Sequence, residues 1–199
     1  MLNPLLPQEH IAIGPVYSVT KLTGPTSVSY GGLARAIIGN PKCDVSAVAR
    51  TVIEVWQRSG VEASVTEDIN TVLWMKFIGV ATGSALNCLT RLPAGILYHD
   101  DTPLKYVRKS IDEVMAVGRA VGVTFPDGTA ENTLAFLMSF PPEAVASMRL
   151  DLDAGRKLEL DGLSGEVARL GGLHGVATPL HDMAFDMLKP FRKGPPKIA

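Results

Sequence analysis

Lys76 is the only charged residue between Thr71 and Thr90, in a run that is otherwise apolar or small and uncharged. An ammonium in such surroundings must reach a carboxylate, a water-filled cleft or a ligand. Burying it unpaired costs several kcal/mol or forces it to give up its proton. A lysine that is merely solvated is the competing reading. One carboxylate is a match for it: Glu159 opens a stretch in which Leu163, Val167 and Leu170 recur at helical spacing, which predicts a helix with Glu159 on its inner face. A plain ion pair or a charge at a helix N-terminus would also account for Glu159. Glu166 falls on nearly the same face and is its rival. Asp151, Asp153, Asp161, Arg156 and Lys157 are expected on the solvated side of the same segment.

The element that positions Lys76 is a long helix from about Thr71 to Thr90. At 100° per residue, Ile69, Leu73, Lys76, Val80, Ser84 and Asn87 share one side, while Trp74, Phe77, Ile78, Ala81 and Ala85 spread around the remainder. A helix apolar on nearly all sides belongs inside a domain. Its lysine, asparagine, serine, threonines and glycines interrupt the run short of the ~18 consecutive apolar residues of a membrane span.

Upstream, Ile11–Ile13, Val16–Val19 and Ser27–Tyr30 read as short strands separated by Gly14-Pro15, Gly24-Pro25 and Gly31-Gly32. Val45, Val48, Ala49, Val52, Ile53 and Trp56 predict a helix that Asp44 can cap and Ser59-Gly60 ends, before a strand at Val61–Val65. Strand, helix and strand of these lengths make an α/β unit. No strand leads into GxGxxG or GxxxxGK, so the sequence shows no backbone cradle for a nucleotide phosphate. Beyond Thr66 the pattern is helical only. A turn is expected at Arg91–Gly95 and helices over Leu104–Val121, Thr129–Ser139, Leu160–Leu170 and Pro179–Leu188. The tail from Phe191 reads as frayed.

With 199 residues, 46% of them hydrophobic, the chain can bury a sizeable core as one domain or two small ones. A net charge of −1 with scattered basic residues gives no footprint for nucleic acid or an anionic membrane, which points to a small ligand. Cys43 and Cys88 stand apart with no metal-type His/Cys spacing, which fits a reducing cytoplasm and no metal site. The first ten residues lack the basic and apolar regions of a secretory signal.

Leu73-Trp-Met-Lys-Phe, then Ala146-Ser-Met with Asp151, Gly155-Arg-Lys-Leu-Glu-Leu-Asp-Gly and Gly165, and Gly175-Val-Ala-Thr-Pro resemble the C-terminal domain of ketopantoate reductase (2-dehydropantoate 2-reductase). The resemblance covers about residues 66 to 190, and Ser147 and Glu159 stand twelve positions apart, as in that family. Residues 9 to 65 resemble the last part of the family's dinucleotide-binding domain, without the part that carries the glycine-rich loop. The resemblance implies an α/β remnant at 1–65 followed by an all-α bundle at 66–199 in which substrate is bound and reduced. It implies NADPH as cofactor and a branched 2-keto acid as substrate, in a pantothenate-pathway type of oxidoreductase. Lys76 would then donate a hydrogen bond or proton to the carbonyl oxygen. Glu159 would contact substrate or cofactor hydroxyls, and Ser147 would hold the carboxylate. The family commonly carries asparagines four and eight residues after the lysine, and here Val80 and Ser84 take those substrate-facing positions. The expected partner is a small 2-keto acid, without nucleic acid or membrane, and a homodimer is allowed. The competing class is a non-catalytic helical fragment or dimerisation module of the same descent, which the missing phosphate loop favours.

Overall fold

A computed structural model describes Pro7 and residues 10–196, with main chain only at Val19, Lys21 and Leu33. The expectation about the extreme N-terminus therefore falls almost wholly outside the described residues. The chain divides into two compact units, Met1–Leu73 and Trp74–Ala199, and the boundary falls inside the long helix.

The first unit is a three-stranded sheet in the order β1-β2-β3, with β1 at Val16–Gly24, β2 at Ser27–Ile38 and β3 at Glu62–Val65. β1 and β2 form an antiparallel hairpin in the register Val16↔Ala36 to Gly24↔Ser27, with irregularities between Ser18 and Thr20 and between Leu22 and Gly24. Ile11–Ile13 does not become a strand. Ile13 makes only an isolated bridge with Gly39, because Gly14-Pro15 follows at once and proline brings no N–H to a ladder. Helix α1, Ala47–Arg58, returns the chain so that β3 lies parallel to β2 in the register Arg35↔Glu62 to Ile38↔Val65. Its cap is Ser46, whose Oγ accepts from Ala49 N, and not the expected Asp44. Ala49 and Ile53 form its buried face, and Gln57 Nε2 donates to Ala63 O at 2.7 Å to fasten it to β3. Strand, helix and parallel strand confirm the α/β unit.

The second unit is all helix. It contains most of α2, Ile69–Thr90, then α3, Ala94–Leu97, α4, Asp101–Ala120, α5, Thr129–Met138, α6, Ser147–Asp153, α7, Ser164–His174, and α8, Pro179–Leu188. By length and composition α2 could cross a bilayer, but Ala81–Cys88 are buried in the bundle, which makes α2 its core helix. The apolar spacing within Leu104–Val121 selects the inward face of α4: Val107, Ile111, Val114, Met115 and Gly118 are buried, and Leu104 is partly buried. They pack with Ile78, Ala81 and Leu86 of α2, Leu134 and Leu137 of α5 and Val167 of α7. Each fully buried Ile, Leu or Val side chain contributes about 1.5–3 kcal/mol. Gly118 is needed for contact: a Cβ there would stand 2.6 Å from the Phe125 ring. A smaller cluster of Cys88, Met148, Leu152, Leu158, Leu160, Leu163 and Leu188 joins the end of α2 to α6 and α8. Phe191 packs on it, Leu158 N donates to Arg192 O at 3.0 Å and Arg192 pairs with Asp161, so the tail is docked through Gly194 and not frayed.

Polar side chains also tie the bundle together. Glu113 of α4 accepts from Leu180 N and His181 N at the start of α8, satisfying amides that a helix N-terminus leaves open.

Candidate active site

Along α2 the shared face runs Lys76, Val80, Ser84, Asn87, at steps of roughly 6 Å per four residues. The far end of this face is the buried one. Lys76 is half-buried and Val80 is 37% exposed, whereas Ser84 and Asn87 are each 2% exposed. The outward end of the face therefore offers an ammonium beside two methyl groups. Ser84 turns into the bundle, so of the two positions where the family has amides, only Val80 stands at the surface of the unit.

The inward end of the face holds the segment that carries Ser147. Asn87 Oδ1 accepts from Ala146 N at 2.6 Å, and its Nδ2 donates to Leu92 O at 3.0 Å. Ala146 precedes α6 without any side-chain cap of its own. Arg149 Nη1 donates to Asn87 O at 3.4 Å, and its Nε donates to Asp153 Oδ2 at 2.7 Å. Arg91 reaches the other oxygen of Asp153. Arg91 is the only non-glycine with positive φ, at 62°, among the described residues, and its amide donates to Asn87 O at 3.0 Å as α2 ends. Two arginines at the carbonyl end of α2 complement its dipole. Ser147, the first residue of α6, keeps an exposed side chain.

Glu159 departs from the inward-facing helical position expected of it. It is exposed and lies in the connection before a 3-10 turn at Leu160–Gly162. The backbone breaks at Leu163, φ −108° and ψ −101°, before α7 begins. The periodicity of Leu163, Val167 and Leu170 is real but does not extend back to Glu159. Glu166 is engaged elsewhere: it accepts both Arg169 Nε and Nη2, at 2.7 and 2.6 Å, and those bonds hold its carboxyl below the usual range. Of the other charges of the segment, Asp151 pairs with Arg156 and Asp161 with Arg192, and Lys157 is exposed.

Sequence reasoning missed Asn87, Arg91, Arg149 and Asp153 as an anchoring group. Asn87 could have been suspected, because it is a polar residue on the Lys76 face of an apolar helix.

A dinucleotide pyrophosphate needs free backbone N–H groups at a strand-to-helix turn. The described residues make two such turns. Between β3 and α2, Asp68 N donates to Thr66 Oγ1 at 3.2 Å and Thr71 N to Asp68 Oδ1 at 3.0 Å. The other, Gly39–Ser46 between β2 and α1, is likewise closed on itself. Lys42 N and Cys43 N both donate to Asn40 Oδ1, at 2.9 and 3.2 Å, and Ser46 takes Ala49 N. The groove beside it, about 450 Å³, is lined by Asp44 and Glu67 as well as Lys42 and Arg50. The described residues therefore do not fit the phosphates of NADPH.

A parallel β-α-β unit running into a helical bundle, built around one long helix with a lysine on its outward face, defines the class: an α/β unit followed by the all-α C-terminal domain of a two-part protein. Residues 68–192 match the family model described as ketopantoate reductase PanE/ApbA C terminal, and the chain belongs to that family. A 2-dehydropantoate 2-reductase of Caulobacter vibrioides is 33% identical over 147 residues, covering 74% of this chain and 50% of the relative. One from Pyrobaculum aerophilum is 27% identical over 169 residues, covering 83% of this chain and 60% of the relative. The crystal structure of 2-dehydropantoate 2-reductase from Geobacter metallireducens superposes with a TM-score of 0.85 at 26% identity, covering 94% of this chain and 63% of that one. The chain thus spans about half to three-fifths of the length of these relatives.

Proposed function

We propose that this chain supplies the substrate-binding and proton-donating part of an NADPH-dependent 2-keto acid reductase of the ketopantoate type. The observation that carries the reading is the position of Lys76. Within the matched segment it stands on the outward part of the α2 face, and the start of α6, with Ser147, is bonded to Asn87 on that same face.

When a 2-keto carbon is reduced, its carbonyl oxygen becomes an alkoxide. The Lys76 ammonium is suited to donate a hydrogen bond and then the proton to that oxygen, an acid role that typically contributes about 10²- to 10⁴-fold. The Ser147 hydroxyl donates to the substrate carboxylate. Exposed Glu159 accepts from a substrate or cofactor hydroxyl. Val80 lines the substrate's side chain, and Ser84, turned into the bundle, is left behind it. The phosphates of the cofactor find no cradle among the described residues. The reading therefore requires a glycine-rich dinucleotide-binding segment supplied with the chain.

The test is to join the chain to the dinucleotide-binding half of the Caulobacter vibrioides relative and follow loss of reduced-nicotinamide absorbance with ketopantoate and with 2-keto-3-methylbutyrate. Turnover with both halves present, and none with either alone, is expected. A folded, NADPH-binding hybrid that reduces neither acid contradicts the reading.

A further inference from the structure

Helix α6 starts at Ser147 although nothing in its own sequence caps it. Ala146 occupies the cap position, where alanine is among the poorest choices. The missing local signal is replaced from 59 residues away. Asn87, 2% exposed, directs Oδ1 to Ala146 N at 2.6 Å while Nδ2 is engaged by Leu92 O at 3.0 Å. With both ends of the amide bonded, its orientation is fixed, and a flipped amide would set N–H against N–H at Ala146. Arg149 and Asp153 make a second attachment, one to Asn87 O and the other to Arg91. Leu89, Met148 and Leu152 pack in the cluster beneath. The start and the body of α6 are thus bonded to the last turns of α2, the helix that carries Lys76.

We propose that Asn87 is a positioning residue for substrate binding: by holding Ala146 it fixes the Ser147 hydroxyl relative to the Lys76 face, and so governs affinity for the carboxylate of a 2-keto acid. This rests on the function proposed above. Asn87 touches neither substrate nor the proton in flight. Its effect passes wholly through Ser147, so it vanishes when the Ser147 hydroxyl is absent.

The experiment uses the whole 199-residue chain and two readouts. The first is amide hydrogen exchange without ligand. In Asn87→Ala, exchange at Ala146 and the first turn of α6 is expected to rise about tenfold or more while the core of α4 stays protected. In Asn87→Asp, which keeps an acceptor oxygen, protection at Ala146 is largely retained. The second readout is titration with 2-keto-3-methylbutyrate followed by heteronuclear NMR. Asn87→Ala is expected to weaken binding about tenfold in the wild-type background, and less than about twofold in a Ser147→Ala background. Unchanged exchange at Ala146 overturns the anchoring, and equal losses in both backgrounds overturn the route through Ser147. If exchange rises as expected but the wild-type chain shows no binding of the keto acid, the anchoring stands. The functional reading then fails, and the carboxylate role fails with it.

Discussion

His181 Nε2 lies 3.0 Å from Ser110 Oγ in the centre of the helical bundle, and both residues are fully buried. Ser110 directs its own hydroxyl proton to Thr82 Oγ1 at 2.9 Å. It can then only accept from the imidazole, which assigns the ring proton to Nε2. Nδ1 is left to accept from Ser164 Oγ at 3.3 Å. One neutral histidine thus links α2, α4, α7 and α8 with every polar atom in use.

Burial pushes the His181 pKa down to about 4 from 6.5, outweighing the bond to Ser110. In the range between those values the unfolded chain takes up a proton that the native histidine refuses. Stability is therefore full above about pH 6.5 and is lost as pH falls towards 4, by on the order of 3 kcal/mol. Glu113, the charged group facing α8 from α4, works the other way, because burial raises its pKa and favours its protonated form in the fold. Urea unfolding from pH 7.5 to 4, values bracketing about the titration window, should show this loss in the wild type. It should be flattened in His181→Asn, which keeps a donor and an acceptor without titrating. An acid limb of equal steepness in that variant would place the titration elsewhere.

The chain alone should bind NADPH no more tightly than about millimolar, because amides that could hold a pyrophosphate are taken by Asn40 and Ser46 at one β-to-α turn of the described residues and by Thr66 and Asp68 at the other. Cofactor fluorescence during titration measures it, and saturable micromolar binding would refute the closed-turn account.

What could be read without coordinates was whatever periodicity and punctuation carry. The α4 stripe, the parallel β-α-β unit and α2 as core all follow from side-chain spacing, since that spacing selects the face to be buried. Glu159 could not be placed the same way. The phase of Leu163, Val167 and Leu170 reaches Glu159 only if one helix runs through Leu163, and there the backbone turns out of the helix, a break the side chains of Leu160 and Leu163 do not announce. Helix α6 was invisible for a related reason. It is seven residues long and its start is fixed by an asparagine distant in sequence, a relation only folding creates. Asp44 is a good cap residue by type, but the helix begins at Ala47 with Ser46 as its cap, because the loop decides where the first turn can form.

Val80 makes a prediction about substrate choice. It stands one turn from Lys76 with 37% of its surface exposed and offers no hydrogen bond. A substrate hydroxyl packed against it loses water and gains no partner, a penalty on the order of 1–3 kcal/mol. In the hybrid enzyme, kcat/KM for ketopantoate should fall below that for 2-keto-3-methylbutyrate by roughly tenfold to a hundredfold. Val80→Asn should narrow the gap. A wild-type preference for ketopantoate, with no gain from the asparagine, would show that the hydroxyl is read at another position.

The claim that Lys76 is the proton donor is tested most directly by turnover of the hybrid enzyme carrying Lys76→Ala, with folding checked by circular dichroism. The account predicts that kcat falls by roughly 10²- to 10⁴-fold while 2-keto acid binding weakens less. A kcat within about threefold of wild type, less than 1 kcal/mol in barrier height, in a folded protein would contradict it and leave Lys76 a structural residue.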